Sequence, residues 1–118
     1  MNSHDIATES AIAAAEKKAQ KLLVLDLRES SDLCEFQLIC SGDNDRQTRA
    51  IADAIEMRMK KSHGVLPMAT EGKQTGQWIV LDYGATIIHI FLAPLRDYYA
   101  IEELWPNAKV IEHDSAEA

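Results

Sequence analysis

Histidine and cysteine are few in this sequence, and the spacing of its histidines, cysteines and carboxylates argues against most metal, redox or group-transfer chemistry. The histidines, His4, His63, His89 and His113, are scattered and do not form a zinc pattern. Cys34 and Cys40, the only cysteines, lack C-x-x-C spacing; they read as small core thiols in a reduced compartment. Nucleotidyl transfer is the nearest catalytic idea, because Ser41-Gly42 forms a turn between a strand and a helix, as on the phosphate side of that fold. That chemistry needs paired carboxylates to hold two metal ions. Asp82 stands alone in its strand, Glu102-Glu103 point different ways on a helix, and Asp43-x-Asp45 lies at a helix start, where acids suit the dipole. No phosphate loop, dinucleotide fingerprint, nucleophile elbow or H-E-x-x-H run is present. The expectation is no catalytic residue, no metal and no cofactor.

The 118 residues, 47% of them hydrophobic, suffice for one core, so residues 1–118 are expected to form a single domain. A net charge of -7 argues against a protein that holds nucleic acid through its phosphates. A basic protein partner suits it better, since opposite fields speed and orient encounter. No apolar run approaches a membrane span and no signal-peptide region opens the chain. Asp5 and Glu9 fit poorly in a transit peptide, so the expected location is the cytoplasm.

The elements that must position these side chains alternate in type. An alanine-rich helix is expected over 3–20, with Ser3 as its N-cap. Strands follow at 22–27 and 36–40. Asn44 and Gln47 resemble a capping box, and Thr48, Ile51, Ala52, Ile55 and Met59 give the next helix one apolar stripe, closed by Gly64. After a short segment at 66–70 and a loop at 71–76, two apolar runs, 77–83 and 86–92, flank Gly84-Ala85 as a hairpin whose glycine supplies positive φ. Pro94 opens a last helix running through 95–104, and Pro106 forbids its extension. Residues 110–118 read as a frayed tail. This order implies an α/β (α+β) domain with a mixed sheet of about five strands flanked by helices.

Counting from the Gly84-Ala85 turn pairs Trp78 with Phe91, Val80 with His89 and Asp82 with Ile87 on one face. Ile79, Leu81, Ile88 and Ile90 share the other, which must be core because side chains alternate along a strand. The Trp78 face leaves two readings open: a cross-strand aromatic pair with a satisfied histidine, or a binding surface of aromatic and charged side chains. In the last helix Leu95, Tyr98, Ile101 and Leu104 or Trp105 fall at packing spacing, with Arg96, Tyr99, Glu102 and Glu103 on the flank. Arg96 and Tyr99, three residues apart, can share a surface.

The run Trp78-Ile79-Val80-Leu81-Asp82-Tyr83-Gly84, then Ile88-His89-Ile90-Phe91, then Arg96-Asp97-Tyr98-Tyr99-Ala100-Ile101-Glu102-Glu103-Leu104-Trp105 resembles the W-x-x-x-D-Y-G, V-H-x-F and R-x-F-Y-x-L-E-x-L-W motifs of ribosomal silencing factors, the Iojap-like family. Glu71-Gly72 and Ser41-Gly42 with Arg46-Gln47 match as well, so the likeness covers roughly residues 5 to 109. Glu35-Phe36, Ala85 and Asn44 depart from the Asp-Tyr, acid and Ser commoner in the family; Glu for Asp and Phe for Tyr lose little packing chemistry, and Asn caps a helix as well as Ser.

The resemblance implies a nucleotidyltransferase-like sheet without catalytic carboxylates, usually self-associated as a homodimer. It also implies binding to the large ribosomal subunit through the ribosomal protein called L fourteen. There it would block small-subunit joining and repress translation under nutrient limitation. Trp78, Asp82 and His89, with Tyr83, Arg96 and Tyr99, are expected to form or support the docking surface, Trp78 as apolar anchor and Asp82 meeting a cation. Leu104 and Trp105 are expected to hold the last helix on the sheet. A large-subunit assembly factor using the same surface is the alternative, and a residual nucleotide-binding enzyme a more distant one.

Overall fold

The alanine-rich start forms α1 (Ser3–Glu16), whose inner residues Ala7, Ala11 and Ala14 are fully enclosed. Small side chains let this helix lie close to the sheet and to its helical neighbour. The computed structural model describes residues 1–111. The cap of α1 is Asn2, not Ser3: the Asn2 side-chain oxygen accepts from the Asp5 N–H at 2.8 Å, while the Ser3 hydroxyl donates to Glu35. The helix also stops short of Gln20, because Lys18 turns the chain through a left-handed conformation (φ 62°) and Gln20 opens β1.

Strand β1 (Gln20–Asp26) runs antiparallel to β2 (Phe36–Gly42), whose seven residues are all buried. Next comes α2 (Asp45–His63), which buries Thr48, Ile51, Ala52, Ile55 and Met59, the stripe its spacing foretells. Its capping box is offset by one residue. The Asn44 side chain accepts from the Gln47 N–H, but Gln47 Oε1 reaches back to the Asp43 N–H at 2.7 Å. Gln47 Nε2 donates to the Lys17 and Lys18 carbonyls, at 3.1 Å each, joining the α1–β1 turn to α2.

Strands β3 (Ala69–Glu71), β4 (Trp78–Asp82) and β5 (Thr86–Leu92) follow. With a last strand, β6 (Lys109–Val110), the sheet order is β3-β4-β5-β2-β1-β6, with β2 and β5 parallel and every other pair antiparallel. The hairpin register is the one that counting from Gly84-Ala85 gives, from Trp78↔Phe91 to Asp82↔Ile87.

There are six strands rather than about five. The additional strand, β6 (Lys109–Val110), pairs with Asp26 and Leu25, so Val110 belongs to the sheet and not to a frayed tail. Two residues are too few to leave an alternation that sequence patterning can detect. Residues 112–118 of the expected tail lie outside the described residues.

One face of the sheet is covered by α1 and α2, with Val24, Leu38, Ile79, Leu81, Ile88 and Ile90 packed against Ile51, Ile55 and Met59. Each such enclosed aliphatic side chain contributes roughly 1.5–3 kcal/mol. The opposite face carries a second cluster built on Leu25, Leu27, Ile39 and Phe91. It is covered by α3 (Ala93–Tyr99) and a 3₁₀ turn (Ile101–Leu104).

The expected single last helix is therefore broken, at Ala100 (φ 44°, ψ 48°). The buried side chains differ from the expected stripe on both sides of the break. Leu95, Ile101 and Trp105 face the second cluster, but Tyr98 is 78% exposed and Leu104 68%, so neither holds the segment down. Arg96, expected on the flank, is only 4% exposed.

Candidate functional site

The sheet face that α3 covers only in part carries Trp78, Val80 and Asp82 from β4 beside Ile87, His89 and Phe91 from β5. Trp78 is set from three sides. Its ring stacks on Phe91 with centroids 4.7 Å apart, Tyr99 lies 4.9 Å away, and its indole N–H donates to His89 Nδ1 at 3.1 Å. Tyr98 then meets Tyr99 edge-on at 5.0 Å, extending an aromatic surface outward to solvent.

The loop between β3 and β4 fixes where Trp78 begins. The Thr48 hydroxyl donates to the Gly76 carbonyl at 2.6 Å, and Lys73 pairs with Asp53 and Glu56 of α2. Within this loop the chain passes so close to β4 that a Cβ on Gly72 would lie 1.9 Å from the Trp78 carbonyl oxygen.

His89 accepts the indole proton at Nδ1, so its neutral form carries hydrogen on Nε2, which is buried without a partner among the described residues. Burial pushes the imidazole pKa down to about 4, so the ring is uncharged at neutral pH. It therefore adds no cation to this face, and it takes up the Trp78 N–H, so that donor is not free for a partner.

Asp82 has two tasks. One oxygen accepts from the Gly84 N–H at 2.8 Å, closing the hairpin turn, while the carboxylate forms no ion pair among the described residues.

The structure brings Trp78, His89 and Tyr99 into one cluster and leaves Asp82 further along the same face. Tyr83 does not join them: it packs into the helix-covered core at 8% exposure, with its hydroxyl pushed up by burial. Arg96 lies beneath the surface, bonded to Glu102 and to the Lys21 carbonyl. Tyr98 and Leu104 are surface residues that helical periodicity assigned to packing. A left-handed alanine announces itself by no residue type, so only the fold reveals them.

Among the described residues no three His, Cys, Asp or Glu side chains converge to hold a metal ion, and no helix is long and apolar enough to cross a membrane. Cys34 and Cys40 are buried free thiols, and burial drives the Cys40 pKa up to about 12.

A six-stranded mixed sheet with helices on both faces places this chain in a class of small proteins of known structure. A crystal structure of a Chromobacterium violaceum protein matches with a TM-score of 0.85 and 29% identity, over 97% of this chain and 93% of the other. The ribosomal silencing factor of that organism is 34% identical over 100 residues, 84% of this chain and 81% of the relative. The one from Bacillus subtilis is 32% identical over 114 residues, 97% of this chain and 96% of the relative. The family model described as ribosomal silencing factor during starvation matches residues 1–118. The chain belongs to this family of ribosomal silencing factors, whose relatives are named for silencing and not as enzymes.

Proposed function

We propose that this chain silences ribosomes by docking on the large subunit, at the ribosomal protein L fourteen, through the face carrying Trp78, Asp82, His89 and Tyr99. An attached protein there occupies space that the small subunit needs, so joined ribosomes do not form and translation falls under nutrient limitation. The chain works in the cytoplasm, needs no cofactor, and when free pairs with a second copy as a homodimer.

The observation that carries this reading is the Trp78 ring, fixed by Phe91, Tyr99 and His89 on a sheet face that no helix fully covers. Rigid aromatic side chains in such settings anchor interfaces. The Asp82 carboxylate, free of ion pairs among the described residues, supplies the charge to meet a basic ribosomal protein. The names of the relatives supply the ribosome as target.

The test is cosedimentation of the purified chain with separated large and small subunits, followed by addition of the missing subunit. Binding to large subunits with loss of joining supports the reading, and Trp78→Ala is expected to abolish both. Binding without loss of joining moves the function to subunit assembly, and absence of binding rejects the docking itself. Light scattering on the free protein reads the homodimer directly, as a mass of twice the 13.2 kDa chain.

A further inference from the structure

Two residues with side chains adopt left-handed backbone conformations next to the α3 segment: Ala100 (φ 44°) at the break after α3, and Lys21 (φ 51°) in β1. They stand in different elements. Lys21 sits where the β1–β2 register slips between Gln20 and Leu23, so its backbone is taken out of the ordinary ladder. Left-handed geometry is disfavoured for any residue with a Cβ, and it persists only where neighbours impose it.

One side chain connects both. Arg96 donates through Nη1 to the Lys21 carbonyl at 2.8 Å and through Nε to the two Glu102 oxygens at 3.2 and 3.3 Å. The Arg96 carbonyl accepts from the Ala100 N–H at 2.9 Å. A second tie runs outside, from Lys21 Nζ to Asp97 at 3.1 Å. An aliphatic residue at 96 could pack but would donate nothing, whereas the rigid guanidinium fork holds its Nε on the Glu102 carboxylate and its Nη1 on the bulge carbonyl in one fixed geometry.

Tyr99 follows Arg96 by three residues, on the last turn before the break. Fixing the Arg96 side chain to β1 and to the far side of the break therefore fixes the rotation of α3, and with it the place of Tyr99 over Trp78. We propose that Arg96 and Glu102 are positioning residues of the docking face, which hold Tyr99 on Trp78 before any partner arrives. The surface would otherwise have to be ordered during encounter, and the fraction of molecules competent to bind would fall. The effect on ribosomes rests on the docking reading above; the effect on Tyr99 does not.

The experiment uses the full chain with Glu102→Ala and Arg96→Lys. Glu102→Ala leaves the enclosed Arg96 guanidinium without its carboxylate, and Arg96→Lys puts a non-forked cation in a buried site, so amide dispersion confirms beforehand that each variant is folded. Nuclear Overhauser contacts between the Tyr99 and Trp78 rings are read first, in the free protein. Association and dissociation rates with isolated large subunits are read second.

The expected result for Glu102→Ala is loss of the ring contacts in a folded protein. Large-subunit affinity should drop about tenfold, through slower association with dissociation little changed. Ring contacts retained in Glu102→Ala, or lost with the association rate unaltered, would overturn the proposal. If wild type and variants alike fail to bind large subunits, the docking reading falls, and the ring contacts alone still decide whether Arg96 and Glu102 hold Tyr99.

Discussion

The Trp78 indole N–H is bonded to His89 Nδ1 across the β4–β5 hairpin at 3.1 Å, between residues of neighbouring register pairs. The bond requires an unprotonated Nδ1, and burial holds the imidazole pKa near 4, below its ordinary 6.5. The unfolded chain takes up a proton near pH 6.5, whereas the folded one resists until about 4. The stability due to neutral His89 is thus full above pH 6.5 and is lost progressively as pH falls toward 4, by at most about 3 kcal/mol. Urea midpoints of wild type and His89→Gln at pH 7 and pH 5 read this directly. The variant should be the less sensitive to pH, and equal sensitivity would mean that His89 is not held neutral.

Asp82 joins turn structure to surface charge, and two substitutions separate them. Asp82→Asn keeps an oxygen for the Gly84 N–H and removes the charge, so stability should change by less than about 0.5 kcal/mol. Affinity for large subunits should fall several-fold and become less sensitive to salt. Asp82→Ala removes the acceptor too and should cost about 1 kcal/mol more in denaturation. An Asp82→Asn protein that binds as tightly as wild type, with the same salt dependence, would remove Asp82 from the contact surface.

What was legible in the sequence follows physical rules. Period-two alternation across a glycine turn determines register, so Trp78↔Phe91 and Val80↔His89 follow from counting along the sequence. The α2 stripe was readable for the same reason, because Thr48 to Met59 repeat at helical spacing. The end of the chain was not. The helical pattern runs on through Ala100 and puts Tyr98 inward and Arg96 on the flank, whereas in the fold Tyr98 is exposed and Arg96 is enclosed. Arg96 is buried because Glu102 and the Lys21 carbonyl compensate its charge. Those partners come from opposite sides of a break and a bulge that no local signal marks.

Gln47 carries more than a capping residue does. The Asn44 side chain accepts one amide, and Asn44→Ala should cost about 1 kcal/mol. The Gln47 side chain accepts from Asp43 and donates to Lys17 and Lys18, so Gln47→Ala loses a cap and releases the α1–β1 turn. We expect it to cost about 2 kcal/mol, more than the cap, since three bonds are lost and two carbonyls must find water. Urea denaturation of the two variants ranks them, and a smaller cost for Gln47→Ala would show that water replaces these bonds freely.

Two glycines with positive φ should respond to alanine in different ways, because their surroundings differ. Gly64 (φ 67°) ends α2 with nothing within 4 Å of an added Cβ, so Gly64→Ala meets backbone strain alone. That strain is about 1 kcal/mol, with no change expected in ribosome binding. At Gly72 (φ 88°) the added carbon would lie 1.9 Å from the Trp78 carbonyl oxygen, a contact that only movement of the backbone can relieve. Because that carbonyl belongs to the residue whose ring anchors the aromatic cluster, the displacement should reach the docking face as well as the fold. Gly72→Ala is expected to lose more than 2 kcal/mol in denaturation and to weaken large-subunit cosedimentation under conditions where the protein remains folded. If both variants lose only about 1 kcal/mol and both bind normally, the β3–β4 loop adapts without moving Trp78, and its close approach does not position the face.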